Sequence, residues 1–416
     1  MRRTIFILAA LALSFAQLSC SHRPDPNTLV MLIESSPTNL DPRIGVDAQS
    51  ERIDNLIFDD LLSRGDNLDV APGLAERWEI PDALTYVFHL HHGVKFHDGR
   101  PLTSRDVKWT FDSLQGKVRT TKAAVYRFVN HIDAPDDYTV IFHMKEPTAT
   151  LLWNLSDGAI GIVPYGSGAE MTTHPIGSGP FKFVSAETDK EVILERNDNY
   201  WGEKPRLTSV RFAVVPDATT RALELRKGSG DATINALTPD TVLTLQRDPS
   251  LAVERAPGTV LAYMGFNLRD PILRDVRVRQ AIAYAFDRTP MIEYLWRGEA
   301  QPARSILPPQ SWAYNGNVPA YDHDPEKARQ LLDSAGYPAV NGIRFHLAMK
   351  TSTDENTRLM VAVMQQQLRE VGIVLDIRTF EFATFFADVT HGAFQLYSLR
   401  WIGGNEDPDI FEYAFH

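Results

Sequence analysis

A chain of 416 residues exceeds what one hydrophobic core usually spans, so two or more domains are expected. With 44% hydrophobic and 23% charged residues it has the balance of a globular protein and not of a disordered one. The formal net charge is −11 and no basic block is interleaved with aromatics, which excludes nucleic acid as the natural partner and argues against an anionic lipid surface.

At the N-terminus Arg2-Arg3 precede an apolar run from Ile5 to Ala16, too short to span a bilayer. Residues 1–19 therefore read as an export signal. Cys20 is the single cysteine, so no intramolecular disulfide can form. Its place just behind the apolar run suits cleavage before Cys20 and attachment of diacylglycerol to its sulfur, with residues 20–28 as a tether. The alternative is an ordinary secretory signal with an incidental Cys, because lipid-attachment boxes favour Leu where Gln17 stands.

Leu29 to Ile33 is a buried-strand run, and a hairpin is expected around residues 58–68. Tyr86, Phe88 and Leu90 alternate with Val87, His89 and His91, the period of a half-buried strand. Gly93 and Asp98-Gly99 allow turns, and Val94 to Phe96 reads as a second short strand between them. Thr103 stands where a helix N-cap belongs, with Asp106 three residues on; Val107, Phe111 and Leu114 follow at helical spacing. Val210 to Val214 reads as a strand. Asp275 caps a helix with Val278, Ala281, Ile282 and Ala285 on one face. Asp324-Pro325 opens another that Gly336 ends. Ile343 to Met349 alternates as a strand, Met360 to Val371 carries a helical stripe, and Ile373 to Ile377 alternates again. That order is a βαβ unit, so the last domain is α/β with parallel strands.

Several literal strings carry a resemblance: NLDP at 39–42, LTYVFHLHHGVKFHDGRPLTSRDVKWTFDSL at 84–114, IGSGPFKF at 176–183, NDNYWGEKP at 197–205 and TVLAYMGFN at 259–267. Together they resemble solute-binding protein family 5, the extracellular receptors of dipeptide, oligopeptide and nickel ABC importers. The resemblance implies an α/β, two-lobe, type II periplasmic-binding-protein-like fold with an extra inserted domain, and strands from Ile176 to Phe183 and from Thr259 to Asn267. It divides the chain into domain I (29–46 and 175–262), inserted domain II (47–174) and domain III (263–416). It also implies a monomeric, non-catalytic receptor in the periplasm or at the cell surface, anchored through Cys20. Such a receptor closes on a peptide or other small solute and docks on a permease driven by ATPase subunits, with no cofactor. Family chains continue past the position of His416, so a further C-terminal part is expected.

The candidate site is the stretch Leu399 to Asp409, where a strand runs into a glycine-rich loop; ligands of parallel sheets sit beyond such ends. Trp401 offers a flat apolar wall, and Arg400, Asn405, Glu406 and Asp407 offer directional groups. A buried Trp beside a plain surface turn is the alternative. By family analogy Tyr263 and Asn267 join the site, with sheet packing as their alternative, and Val46 is placed with them. Peptide-binding relatives place an Asp two residues before the position of Glu406, against the ligand's ammonium group; Gly404 stands there, which leaves nickel chelates, opines and oligosaccharides open beside peptides.

His89, His91, His92 and His97 cluster, but only His89 and His91 share a strand face and no Cys accompanies them, so no metal is assigned. Templates for a serine elbow, a zinc helix, a phosphate loop and a Ser-x-x-Lys nucleophile are absent from the sequence. A cell-envelope hydrolase with an acidic pair, acting on peptides or glycans, and an inert surface lipoprotein remain as rivals.

Overall fold

The computed structural model describes residues 25–65, 69–116, 120–124, 126–156, 160–256, 258–309, 311 and 313–401. In chain order the first strands are β1 (Thr28–Ile33), β2 (Leu62–Arg64), β3 (Val70–Pro72), β4 (Ala75–Asp82) and β5 (Thr85–Leu90). β6 (Val129–Asp136), β7 (Thr139–Met144), β8 (Phe181–Glu187), β9 (Glu191–Arg196) and β10 (Ser209–Val214) follow. The last are β11 (Leu261–Phe266), β12 (Phe345–Ser352), β13 (Ile373–Phe380) and β14 (Leu396–Trp401). Among the described residues no helix is long and apolar enough to cross a membrane.

The strands form three four-stranded sheets and the small β2-β3 hairpin. The first sheet runs β1-β10-β9-β8, with β1 and β10 parallel. Ile33, Val192, Leu194 and Phe212 point from it onto Ile53 and Ile57 of the helix Ala48–Ile57. The second sheet, β4-β5-β7-β6, is antiparallel throughout. Alternation in β5 buries Tyr86, Phe88 and Leu90, as the period-2 pattern requires. Phe88 and Phe111 both meet Phe142 edge-on, at 5.4 and 5.2 Å, which seats the helix Ser104–Leu114 on this sheet. The helix starts as its capping signal demands: the Asp106 carboxylate accepts from the Thr103 N–H at 2.7 Å. The third sheet, β11-β14-β12-β13, holds the parallel pairs β12-β13 and β12-β14 under the helices Val276–Ala285, Pro325–Ser334 and Glu355–Glu370.

Two expectations need correction. Val94 to Phe96 forms no strand: only Lys95 bridges to Pro101, and the partners of β5 are β4 and β7. Val94 and Phe96 are apolar because a tight loop, closed by Phe96 N–H to the Arg100 carbonyl, folds them into the core. The strand expected from Ile176 begins only at Phe181. The preceding segment is pressed against the end of the helix Ala48–Ile57, where a Cβ on Gly177 would stand 2.0 Å from the Ile57 carbonyl oxygen. The sequence reading also omits the helices Ala48–Ile57, Ala218–Lys227, Pro239–Leu245 and Phe382–Thr390.

His97 fastens this return segment. Its Nε2 donates to the Gly179 carbonyl at 3.0 Å, and its Nδ1 accepts from the Gly177 N–H at 3.4 Å. Burial lowers its pKa to about 4. A histidine with a depressed folded value adds stability above its unfolded pKa of about 6.5, and that stability is withdrawn as pH falls toward 4. By this linkage His97 alone should remove about 3 kcal/mol over that window. Asp54 and Asp59 are raised by burial and act with the opposite sign, so the comparison must be with His97→Asn. Urea unfolding at pH 7 and pH 4.5 should show the gap between wild type and variant narrowing in acid; a gap independent of pH refutes the assignment.

Candidate functional site

In an open α/β sheet, loops at the carboxyl ends of parallel strands are the natural place for a ligand. Here such ends from two different sheets open on one cavity of about 630 Å³. From the first sheet come Glu34 and Ser35 just past β1, and Pro216 just past β10. From the third come Ser352 to Asp354 at the end of β12, and Leu399 to Trp401 at the end of β14. The N-terminal turn of the helix Ala48–Ile57 adds Val46 to Gln49 and Glu51, and the helix Phe382–Thr390 adds Phe382 and Phe386, whose rings stack at 5.6 Å.

Of the residues singled out from the sequence, Val46, Tyr263, Arg400 and Trp401 line this cavity. Asn267 does not. Its amide nitrogen donates to the Phe394 carbonyl at 2.7 Å, and its Oδ1 accepts the Arg269 N–H at 3.0 Å, so it closes a turn after β11. Asn405, Glu406 and Asp407, with Gly404, lie outside the described residues, as does Cys20. His89 and His91 pair loosely with Glu79 and Glu76, and His92 stacks on Tyr138 at 3.8 Å, away from the cavity.

The lining combines apolar side chains with several carboxylates. Met264, Phe266, Phe394, Tyr397 and Trp401 supply much of the wall. Burial, with Tyr397 next to it, raises the Tyr263 phenol well above its ordinary value, so this ring stays neutral. Four acids, Glu34, Asp47, Glu51 and Asp354, face two arginines, Arg279 and Arg400. Asp47 is committed to capping, accepting the Ser50 N–H at 3.0 Å and the Thr38 hydroxyl. Arg279 is spent on the carbonyls of Leu273 and Arg274.

Arg400 is the joint between the two halves of the cavity. Its guanidinium reaches Asp354 at 3.1 Å and the Asn235 carbonyl at 3.1 Å, with Glu34 beyond at 3.9 Å. Its side chain is only 9% exposed. Arg400 and Tyr263 also border a larger cavity of about 1600 Å³, walled mainly by residues 231–264 and 282–309. We place the site in the smaller one, because only there do strand ends of both sheets meet.

Sequence reasoning missed Glu34, Asp354 and the Phe382/Phe386 pair. The i, i+4 spacing of the two phenylalanines was a readable helix-face signal. Glu34 and Asp354 carried none beyond their position one or two residues past a strand.

The family described as bacterial extracellular solute-binding proteins, family 5 Middle, matches residues 69–416. The chain is 32% identical over 437 residues to the Probable di/tripeptide-binding protein 5 of Pseudomonas aeruginosa, covering 97% of this chain and 82% of the relative. It is 29% identical over 435 residues to the Dipeptide-binding protein of Escherichia coli, covering 96% and 81%. Among solved structures, the periplasmic binding protein DppA of Helicobacter pylori in complex with peptide STSA superposes with a TM-score of 0.87 at 28% identity, covering 93% of this chain and 80% of that one. The architecture is accordingly the type II periplasmic-binding-protein fold with its additional domain, and the chain belongs to the bacterial extracellular solute-binding proteins of family 5.

Proposed function

We propose that this chain is an extracytoplasmic receptor that closes two lobes over a small solute with a cationic end, a short peptide in the first instance, and delivers it to an ABC importer. The observation that carries the reading is the cavity itself, where strand ends of the first and third sheets converge. Its relatives named for di- and tripeptides agree with it. A solute ammonium would find the carboxylates of Glu34 and Glu51, and apolar side chains would find the Phe386 and Trp401 wall. Nothing in this requires a chemical step.

Closure reports occupancy only if the ligand binds the closed form better than the open one. The test is a panel of di- to hexapeptides, opines, nickel chelates and oligosaccharides, read by melting temperature and by tryptophan fluorescence. Binding to the native state alone raises the melting temperature, and Trp401 in the wall should change its emission. A dipeptide or tripeptide is expected to give both signals, with the peptide recovered intact. Recovery of cleaved products would replace the receptor with the hydrolase, and a silent panel would leave an inert surface protein.

A further inference from the structure

The second sheet carries a cluster that neither the cavity nor the sequence motifs use. β6 and β7 pair antiparallel with His131 directly opposite His143. Asp133, two residues along β6, points to the same face, as the strand period dictates. The opposite face of these strands holds Ile132, Val140 and Phe142 in the core, so the backbone beneath the three polar groups is fixed. The two imidazoles stack at 4.3 Å with an angle of 11° between planes. The Asp133 Oδ2 atom lies 3.2 Å from His143 Nε2 and 3.7 Å from His131 Nε2. All three donor atoms fall within 4.8 Å of one another. None of the three residues lines the cavity.

We propose that His131, Asp133 and His143 bind one divalent transition cation of borderline softness, zinc or nickel. Two neutral imidazole nitrogens and one carboxylate oxygen are the donor set such ions prefer, and a hard cation such as calcium or magnesium would want oxygens instead. The spacing fits. Bonds of about 2.0–2.2 Å in a tetrahedral arrangement put neighbouring donors about 3.3–3.5 Å apart. The two carboxylate–imidazole separations bracket that value, and the remaining gap closes by rotation of side chains that are a third to a half exposed. Water completes the coordination from the solvent side. Because the ligands come from both strands, the ion would pin the β6-β7 hairpin at its solvent face, outside the cavity lining. Spacing in the sequence hides the trio: His131 and His143 are twelve residues apart and meet only through the hairpin register.

The simpler account is that Asp133 merely neutralises a protonated histidine pair. Calorimetric titration of the full chain with Zn²⁺ alone, in a non-chelating buffer at pH 7.5, separates the two, with Co²⁺ absorption as a probe of nitrogen ligation. The expected result is one site per chain with a micromolar Kd and a zinc-dependent rise in melting temperature. His143→Ala and His131→Ala should each weaken binding at least tenfold, and Asp133→Asn about three- to tenfold, while His89→Ala leaves it unchanged. His131 and Asp133 are exposed and His143 is half-buried on a well-packed sheet, and melting temperature without metal checks that each variant is folded. Zinc binding that survives both histidine substitutions, or no site occupied at 100 µM Zn²⁺, overturns the proposal.

Discussion

Asp41→Ala should destabilise the protein by about 3–5 kcal/mol, the cost of leaving one member of a buried ion pair behind. Asp41 and Arg43 are 1% and 2% exposed and share a two-pronged contact, Nε to Oδ1 at 2.9 Å and Nη2 to Oδ2 at 2.7 Å. The carboxylate also accepts the Arg43 N–H at 3.0 Å. Once it is gone, the guanidinium keeps only longer contacts, to Ser113 at 3.4 Å and to the Ser167 and Gly168 carbonyls at 3.3 Å. Those same contacts reach the second sheet's helix and the segment behind it, so the loop at 39–45 ties the first sheet to the second. Asp41→Leu combined with Arg43→Met should recover much of the loss, since no charge then remains buried. The readout is the urea midpoint at unchanged slope. A single-variant loss below 1 kcal/mol would mean that water reaches Arg43 and that the pair is not the anchor described here.

That loop shows what the sequence could and could not say. The string Asn39-Leu40-Asp41-Pro42 marked the family, but nothing in it told that Asp41 exists to hold Arg43. Asp59 makes the same point on a larger scale. Ser178, Tyr200 and Trp201 all donate to its carboxylate, at 2.8, 3.0 and 2.8 Å, so two family strings meet at an aspartate that belongs to neither. Contacts across more than a hundred residues leave no period to read. Local order was legible wherever one face is apolar and the other wet, as in β5 and the helix Glu355–Glu370. It failed for the helix Ala48–Ile57, where Gln49, Ser50 and Asp54 are buried beside Ile53 and Ile57, so the stripe is broken by polar groups. At the site, Trp401 was readable because an aromatic residue ends a strand. Arg400 was readable as polar, but its partners on two other segments were not.

Those partners set the other large effect. Arg400→Ala should weaken capture of every solute the protein binds, by roughly ten- to a hundredfold, which is about 1.4–2.8 kcal/mol. The arginine leaves the third sheet and meets Asp354 on its own side, then Asn235 and Glu34 on the other. It therefore joins the two halves of the cavity, with its charge largely shielded from water. Without it Glu34 and Asp354 would face each other across the seam with no cation between them, and closure would cost more. Glu34→Gln removes the cross-seam arm at 3.9 Å together with a carboxylate offered to a solute ammonium, so it should cost about threefold for ligands without an ammonium group and more for those with one. Arg400→Lys cannot span both partners and should resemble the alanine variant more than wild type. Equal weakening across ligands with and without a carboxylate identifies a clasp; weakening confined to carboxylate ligands would identify Arg400 as a direct ligand contact instead. Unchanged affinity in Arg400→Ala would sink both.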